Sequence, residues 1–139
     1  MSTLYDDAYF KRLHQHSFQS AKEVVPVVLS LIQPRSIIDV GCGTGAWLSV
    51  FREHGITDIY GVDGDYVSND VQTLDRARFL QRDLSQAFEI DRKADLVICL
   101  EVAEHLPPES ADTFIGSIVT IAPVILFSAA IPKQGGTGH

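Results

Sequence analysis

The apolar residues of this chain fall into short continuous runs, separated by stretches in which they recur at helical spacing. Before Gln33, Val24, Val28, Leu31 and Ile32 follow a helical period, as do Val25, Leu29 and Ile32. A helix is predicted there, with Pro26 near its start, where a missing N–H is tolerated, and Pro34 as its stop. Ser36–Val40 is an apolar run ending at Gly41 and reads as a buried strand. Ala46–His54 reads as a helix with Trp47, Leu48, Val50 and Phe51 facing inward. Ile59–Val62, ending at Asp63, is a second strand, Arg78–Gln81 a weaker third, and Asp95–Leu100 a fourth, uniform enough to be central. The next helix begins behind Pro107 and Pro108, carries Ala111, Phe114, Ile115, Ile118 and Val119 on one face, and ends at Pro123. Val124–Phe127 is the fifth strand.

Apolar strands alternating with helices predict an α/β fold, a doubly wound and mainly parallel sheet of about five strands with helices on both faces. A length of 139 residues fits one domain. Its expected parts are a helical cap (1–34), an α/β core (35–131) and a glycine-rich tail (132–139). In such a sheet ligands bind beyond the carboxyl ends of the strands, near the switch point, so the segments after each strand are where chemistry is expected.

Eleven Lys and Arg against 18 Asp and Glu give a formal charge of -7. That balance disfavours a broad electrostatic grip on nucleic acid or an anionic membrane, and leaves open a local basic patch or one supplied by a partner chain. Cys42 and Cys99 have neither the number nor the spacing for a disulfide framework or a zinc site. No apolar run approaches the roughly 20 residues that span a bilayer. The amino terminus lacks the pattern of a secretory signal. A cytoplasmic protein is expected.

Gly41, Gly43 and Gly45 follow the first strand within Asp39-Val-Gly-Cys-Gly-Thr-Gly45. They permit a sharp turn and close approach of a ligand, and the next helix presents free N–H groups. This pattern also fits a dinucleotide fingerprint loosely, which leaves a nicotinamide-dependent oxidoreductase open. Asp63, about 20 residues on, can accept hydrogen bonds from both hydroxyls of a ribose, with Gly64 beside it. Asp65 reads better as a cap. Asp83 and the Leu84 N–H can read an adenine edge, or Asp83 can cap a turn.

With the segment Leu100-Glu-Val-Ala-Glu-His-Leu106, the set becomes specific. Ile37–Gly45, Asp63, Asp83 and Asp95–Leu106, in this order and spacing, resemble a class I S-adenosylmethionine-dependent methyltransferase with a Rossmann-like domain. The resemblance covers nearly the whole chain. It implies that Asp39, Gly41, Cys42, Gly43 and Gly45 hold the methionine part of S-adenosyl-L-methionine. Asp63 and Gly64 would hold the ribose, and Asp83 and Leu84 the adenine. Leu100 and Glu101 would line the floor beneath the sulfonium, and the helix around His16 to Ser20 would close over the cofactor. The implied activity is methyl transfer to a small molecule or sugar at oxygen or nitrogen, with His105 as a base for a hydroxyl acceptor. The alternative is a non-catalytic module that binds S-adenosylmethionine or S-adenosylhomocysteine, or a truncated fragment, whose substrate half is missing or supplied by another chain.

If Glu101, Glu104 and His105 share a helical face, they can hold a divalent ion; no metal is expected. Cys42 and Cys99, at the ends of adjacent strands, are expected near each other, as buried thiols. The family domain normally adds a helix and an antiparallel hairpin after strand five, whereas this chain ends there. Strand five is therefore expected to be an edge that seeks a second copy or another chain, making a homo-oligomer.

Overall fold

The computed structural model describes residues 7–64 and 74–130. Asp65 and the tail fall outside them. Five parallel strands, β1 (Ser36–Val40), β2 (Asp58–Asp63), β3 (Phe79–Gln81), β4 (Leu96–Leu100) and β5 (Val124–Ser128), form one sheet in the order β3-β2-β1-β4-β5. Ser36 to Val40 lie opposite Asp58 to Val62, and Leu96 to Leu100 opposite Val124 to Ser128. The order reverses between β1 and β4, so their carboxyl ends flank a crevice. The five strands stand where the apolar runs place them.

Side chains alternate across the sheet, as a two-residue period requires. On one face Ile37, Ile59, Leu96 and Ile98 pack with Ala21, Val25 and Val28 of helix α1 (Asp7–Leu31) and with Leu48 and Phe51 of α2 (Ala46–Glu53). On the other face Ile38, Val40, Val62, Val97 and Cys99 pack with Phe114 and Ile118 of α3 (Ala111–Ile118). Both faces are covered, which is why the strands read as unbroken apolar runs.

The helices depart from expectation in detail. Pro26 lies well inside α1 rather than near its start. It is exposed, so the backbone carbonyl one turn earlier, which loses its N–H partner, faces water. Val25, Leu29 and Ile32 pack against the core as the second apolar series predicts, whereas Val24 and Leu31 of the first series are exposed, Leu31 by 77%. On α3, Phe114 and Ile118 are buried, but Ala111, Ile115 and Val119 face outward. The sheet takes a narrower stripe and accepts Ser117 in it. The Ser117 hydroxyl accepts the Phe88 N–H at 3.2 Å and donates to the Thr113 carbonyl at 3.0 Å, so its burial leaves no bond unmade.

Cys42 and Cys99 are both free and buried, yet they join the clusters on opposite faces of the sheet. Adjacent strands did not bring the two thiols to one side, because the side chains alternate. The described part of β5 is an edge of the sheet, and Val124 and Phe127 on it are 41% and 43% exposed. No described helix is long and apolar enough to cross a membrane.

Candidate active site

The chain leaves β1 through a glycine turn that stays tied to β2. Gly41 and Cys42 N–H groups donate to the Val62 carbonyl at 2.7 and 3.2 Å, and Gly45 N–H to the Cys42 carbonyl at 2.9 Å. Gly41 has φ +84°, and a Cβ there would lie 2.3 Å from Cγ2 of Val102. Gly45 sits at the start of α2 with φ 87° and ψ 17°, a left-handed conformation that only glycine adopts freely. Its carbonyl accepts the Ser49 N–H at 3.0 Å and so begins the helix.

Asp63 ends β2 and is 1% exposed. Its carboxylate accepts the Gly43 N–H at 2.7 Å and the Gly64 N–H at 2.8 Å, fastening the glycine turn to the second strand. Asp39, 4% exposed at the end of β1, receives no hydrogen bond from the described residues. Burial, and then the negative charge of Asp63, push its carboxyl well above the ordinary carboxylate range. Asp83 is exposed and accepts both the N–H and the hydroxyl of Ser85, at 3.0 and 2.6 Å. These bonds hold its carboxyl below the usual range. It therefore caps a turn, and it also faces the cleft beside the buried Leu84.

One cleft of about 1530 Å³ gathers these groups. Asp39, Gly41, Cys42, Gly43, Asp63, Gly64, Asp83, Leu84, Leu100, Glu101 and His105 line it. Gly45 shapes the turn without lining it. His16, Ser17 and Ser20 form a wall from α1, where the sequence places a closing helix.

A family model described as a methyltransferase domain matches residues 12–121. The chain belongs to this family. A curated relative, magnesium-protoporphyrin O-methyltransferase of Synechocystis sp. (strain ATCC 27184 / PCC 6803 / Kazusa), is 30% identical over 109 residues, covering 72% of this chain and 46% of the relative. Among solved structures, Streptomyces venezuelae DesVI matches with TM-score 0.68 and 22% identity, over 96% of this chain and 62% of that one. SAM-bound CalS10, an amino pentose methyltransferase from Micromonospora echinaspora, matches with TM-score 0.68 and 19% identity, over 100% and 63%. These likenesses establish the Rossmann-like fold. The chain spans about half the length of the curated relative it matches.

The methyltransferase domain's β4 end differs from a simple helical turn. Glu101 has φ 57°, the one described non-glycine residue in the left-handed region. It precedes a short 3-10 turn, Ala103–His105, so Glu101, Glu104 and His105 do not stack on one helical face. The carboxylates are instead drawn toward β5. Ser128 donates its hydroxyl to Glu101 Oε2 at 3.3 Å, and Ala130 donates its N–H to Glu104 Oε2 at 3.0 Å. Among the described residues no three His, Cys, Asp or Glu side chains converge as a metal-ligand set. His105 is exposed at the rim.

Sequence reasoning missed one contact at this site. His14 Nδ1 lies 2.5 Å from the Thr44 hydroxyl, joining α1 to the glycine turn across 30 residues. His14 lies two residues before the stretch, His16 to Ser20, that the family resemblance singles out. A polar residue on a helix carries no periodic signal of a distant partner.

Proposed function

We propose that this domain binds S-adenosyl-L-methionine in the cleft and transfers its methyl group to an oxygen or nitrogen of a small-molecule or sugar acceptor. The observation that carries the reading is the convergence, at the ends of β1, β2 and β3, of the glycine turn, Asp39, Asp63, and Asp83 with Leu84. The residues present fit the cofactor. The glycine turn is a cradle that a Cβ at Gly41 would disturb. Asp39 is a buried carboxyl opening on the cleft with no hydrogen bond from the described chain, suited to an ammonium group. Asp63 retains lone pairs for ribose hydroxyls beside Gly64, and Asp83 with the Leu84 N–H suits an adenine edge. Asp39, Gly41, Cys42, Gly43 and Gly45 would hold the methionine part, and Leu100 and Glu101 the floor.

When bound, the cofactor supplies an electrophilic methyl group. The protein's part is to align the acceptor in line with it and exclude water, and proximity supplies much of the rate. His105 lines the cleft at its rim, which supports it as the base that would take the proton of a hydroxyl acceptor. The relatives named above act, as their names say, on a magnesium-protoporphyrin and an amino pentose, which supports a small-molecule acceptor without choosing one.

Calorimetry with S-adenosylhomocysteine and with NADH tests the cofactor assignment. Heat with the first and none with the second is expected; no heat with the first sinks the reading. Turnover of methyl-labelled cofactor against hydroxyl and amine acceptors then tests catalysis. Binding without turnover would favour a module whose acceptor side is supplied by another chain.

A further inference from the structure

The two halves of α1 are held differently. Ala21, Val25 and Val28 in the second half are buried in the core. In the first half none of the described side chains from Ala8 to Ser20 is buried. Yet this half supplies His16, Ser17 and Ser20 to the cleft wall. What joins it to the rest of the fold, among the described residues, is Phe18 against the core and the His14–Thr44 hydrogen bond. Phe18 stacks on the His14 ring, with centroids 6.0 Å apart and planes at 19°, and Lys22 Nζ lies 4.7 Å from the Phe18 centroid. The stack fixes the imidazole where it meets Thr44. Thr44, 5% exposed, lies between Gly43 and Gly45, inside the turn that Asp63 fastens.

We propose that His14 is a positioning residue, whose hydrogen bond to Thr44 couples closure of the first half of α1 over the cleft to the conformation of the glycine turn. A ligand that orders the turn then holds the helix, and the helix in place slows the ligand's departure. The coupling is reciprocal, as linkage between two binding events requires. This rests on the cleft binding an adenosyl ligand, and S-adenosylhomocysteine is the probe.

The experiment compares wild type, His14→Phe, Thr44→Val, the double variant and His14→Asn, each checked for a native thermal transition. His14→Phe keeps a ring on Phe18 and removes the hydrogen bond, whereas His14→Asn keeps a polar group near the Nδ1 position. Affinity is read by calorimetry. Closure is read by trypsin cleavage at Lys11 and Arg12, which are exposed in the first half of α1. Release is read from the fluorescence of Trp47, the sole tryptophan, which lines the cleft. The ligand is expected to protect Lys11 and Arg12 in wild type and in His14→Asn, but not in His14→Phe or Thr44→Val. Each of the latter two should weaken binding about fivefold, mostly through faster release, and the double variant no further. Undiminished protection in His14→Phe and Thr44→Val, or losses that simply multiply in the double variant, would overturn the coupling while leaving the cleft assignment standing. Wild-type protein that binds no S-adenosylhomocysteine would overturn both. Should Thr44→Val not fold, the contrast between His14→Phe and His14→Asn decides.

Discussion

Replacing Gly41 with alanine tests whether the turn after β1 is set by conformation, by space, or by both. The residue has φ +84°, where an L side chain meets its own backbone at a cost of about 1–2 kcal/mol. The added Cβ would also lie 2.3 Å from Cγ2 of Val102 and 3.1 Å from Cγ1, well inside ordinary contact at about 3.5–4.0 Å. Both branches of a β-branched side chain are too close, so rotation of Val102 alone does not clear the space. Overpacking of this kind costs about 1–3 kcal/mol. Gly41→Ala should therefore destabilise the domain by about 2–5 kcal/mol, read as a lower urea midpoint with an unchanged slope. In a Val102→Ala background both Cγ atoms are gone and only the Cβ, at 3.2 Å, stays close, so the same substitution should cost little more than the backbone's about 1–2 kcal/mol. The coupling between the two sites is then about 1–3 kcal/mol. An equal loss in both backgrounds, or a loss under about 1 kcal/mol in the first, refutes the reasoning.

Three further outcomes are expected. Asp63→Ala removes the acceptor of the Gly43 and Gly64 N–H groups and should lower stability by about 1.5–3 kcal/mol, less the repulsion with Asp39 that it relieves; an unchanged urea midpoint contradicts this. Because the Asp39 carboxyl is raised above its ordinary 3.8, its contribution to stability is present below that value and is lost as pH climbs through the folded-state value. Asp39→Asn should thus gain on wild type in thermal melts as pH rises above 3.8, and parallel curves for the two proteins refute it. Burial, with Asp39, Glu104 and Asp63 nearby, pushes the Cys99 thiol up to about 12. At pH 8 iodoacetamide should leave Cys99 unmodified in the native protein and alkylate it in urea, as read by mass spectrometry; rapid native labelling is the contrary result.

The inner strands were legible because β1, β2 and β4 are largely buried on both faces and so write nearly unbroken apolar runs. The edge strands are only partly buried, yet β5 kept its apolar run and the three-residue β3 showed within Arg78–Gln81. Helix faces were less legible, because an apolar residue on a helix states a preference and the neighbouring surface decides whether it is met. Ile115 and Val119 keep the period of α3 and still face outward, while Ser117 is buried because two hydrogen bonds satisfy it. At the site, glycines and acids at strand ends carry their meaning in their chemistry, which is why the turn and Asp63 were found. Glu101 in the left-handed region was not legible, since no glycine marks it. Nor was the His14–Thr44 bond, a contact between polar residues on separate elements that leaves no pattern in either segment.

The same logic bears on why two acids are kept under one turn. Asp63 has a structural task, since two backbone N–H groups lean on it. Asp39 has none among the described residues, and its burial beside Asp63 destabilises its charged form. A buried group that costs stability and satisfies nothing among the described residues is the kind of local inconsistency expected at a functional site. A cation in the cleft would remove both penalties, by pairing with the Asp39 carboxylate and by offsetting the repulsion from Asp63. Asp39→Asn therefore has opposite effects on two measurements if the cleft takes an ammonium-bearing ligand. It gains stability in the free protein and loses affinity for S-adenosylhomocysteine. A substitution that merely relieved a packing fault would raise stability and leave the affinity where it was.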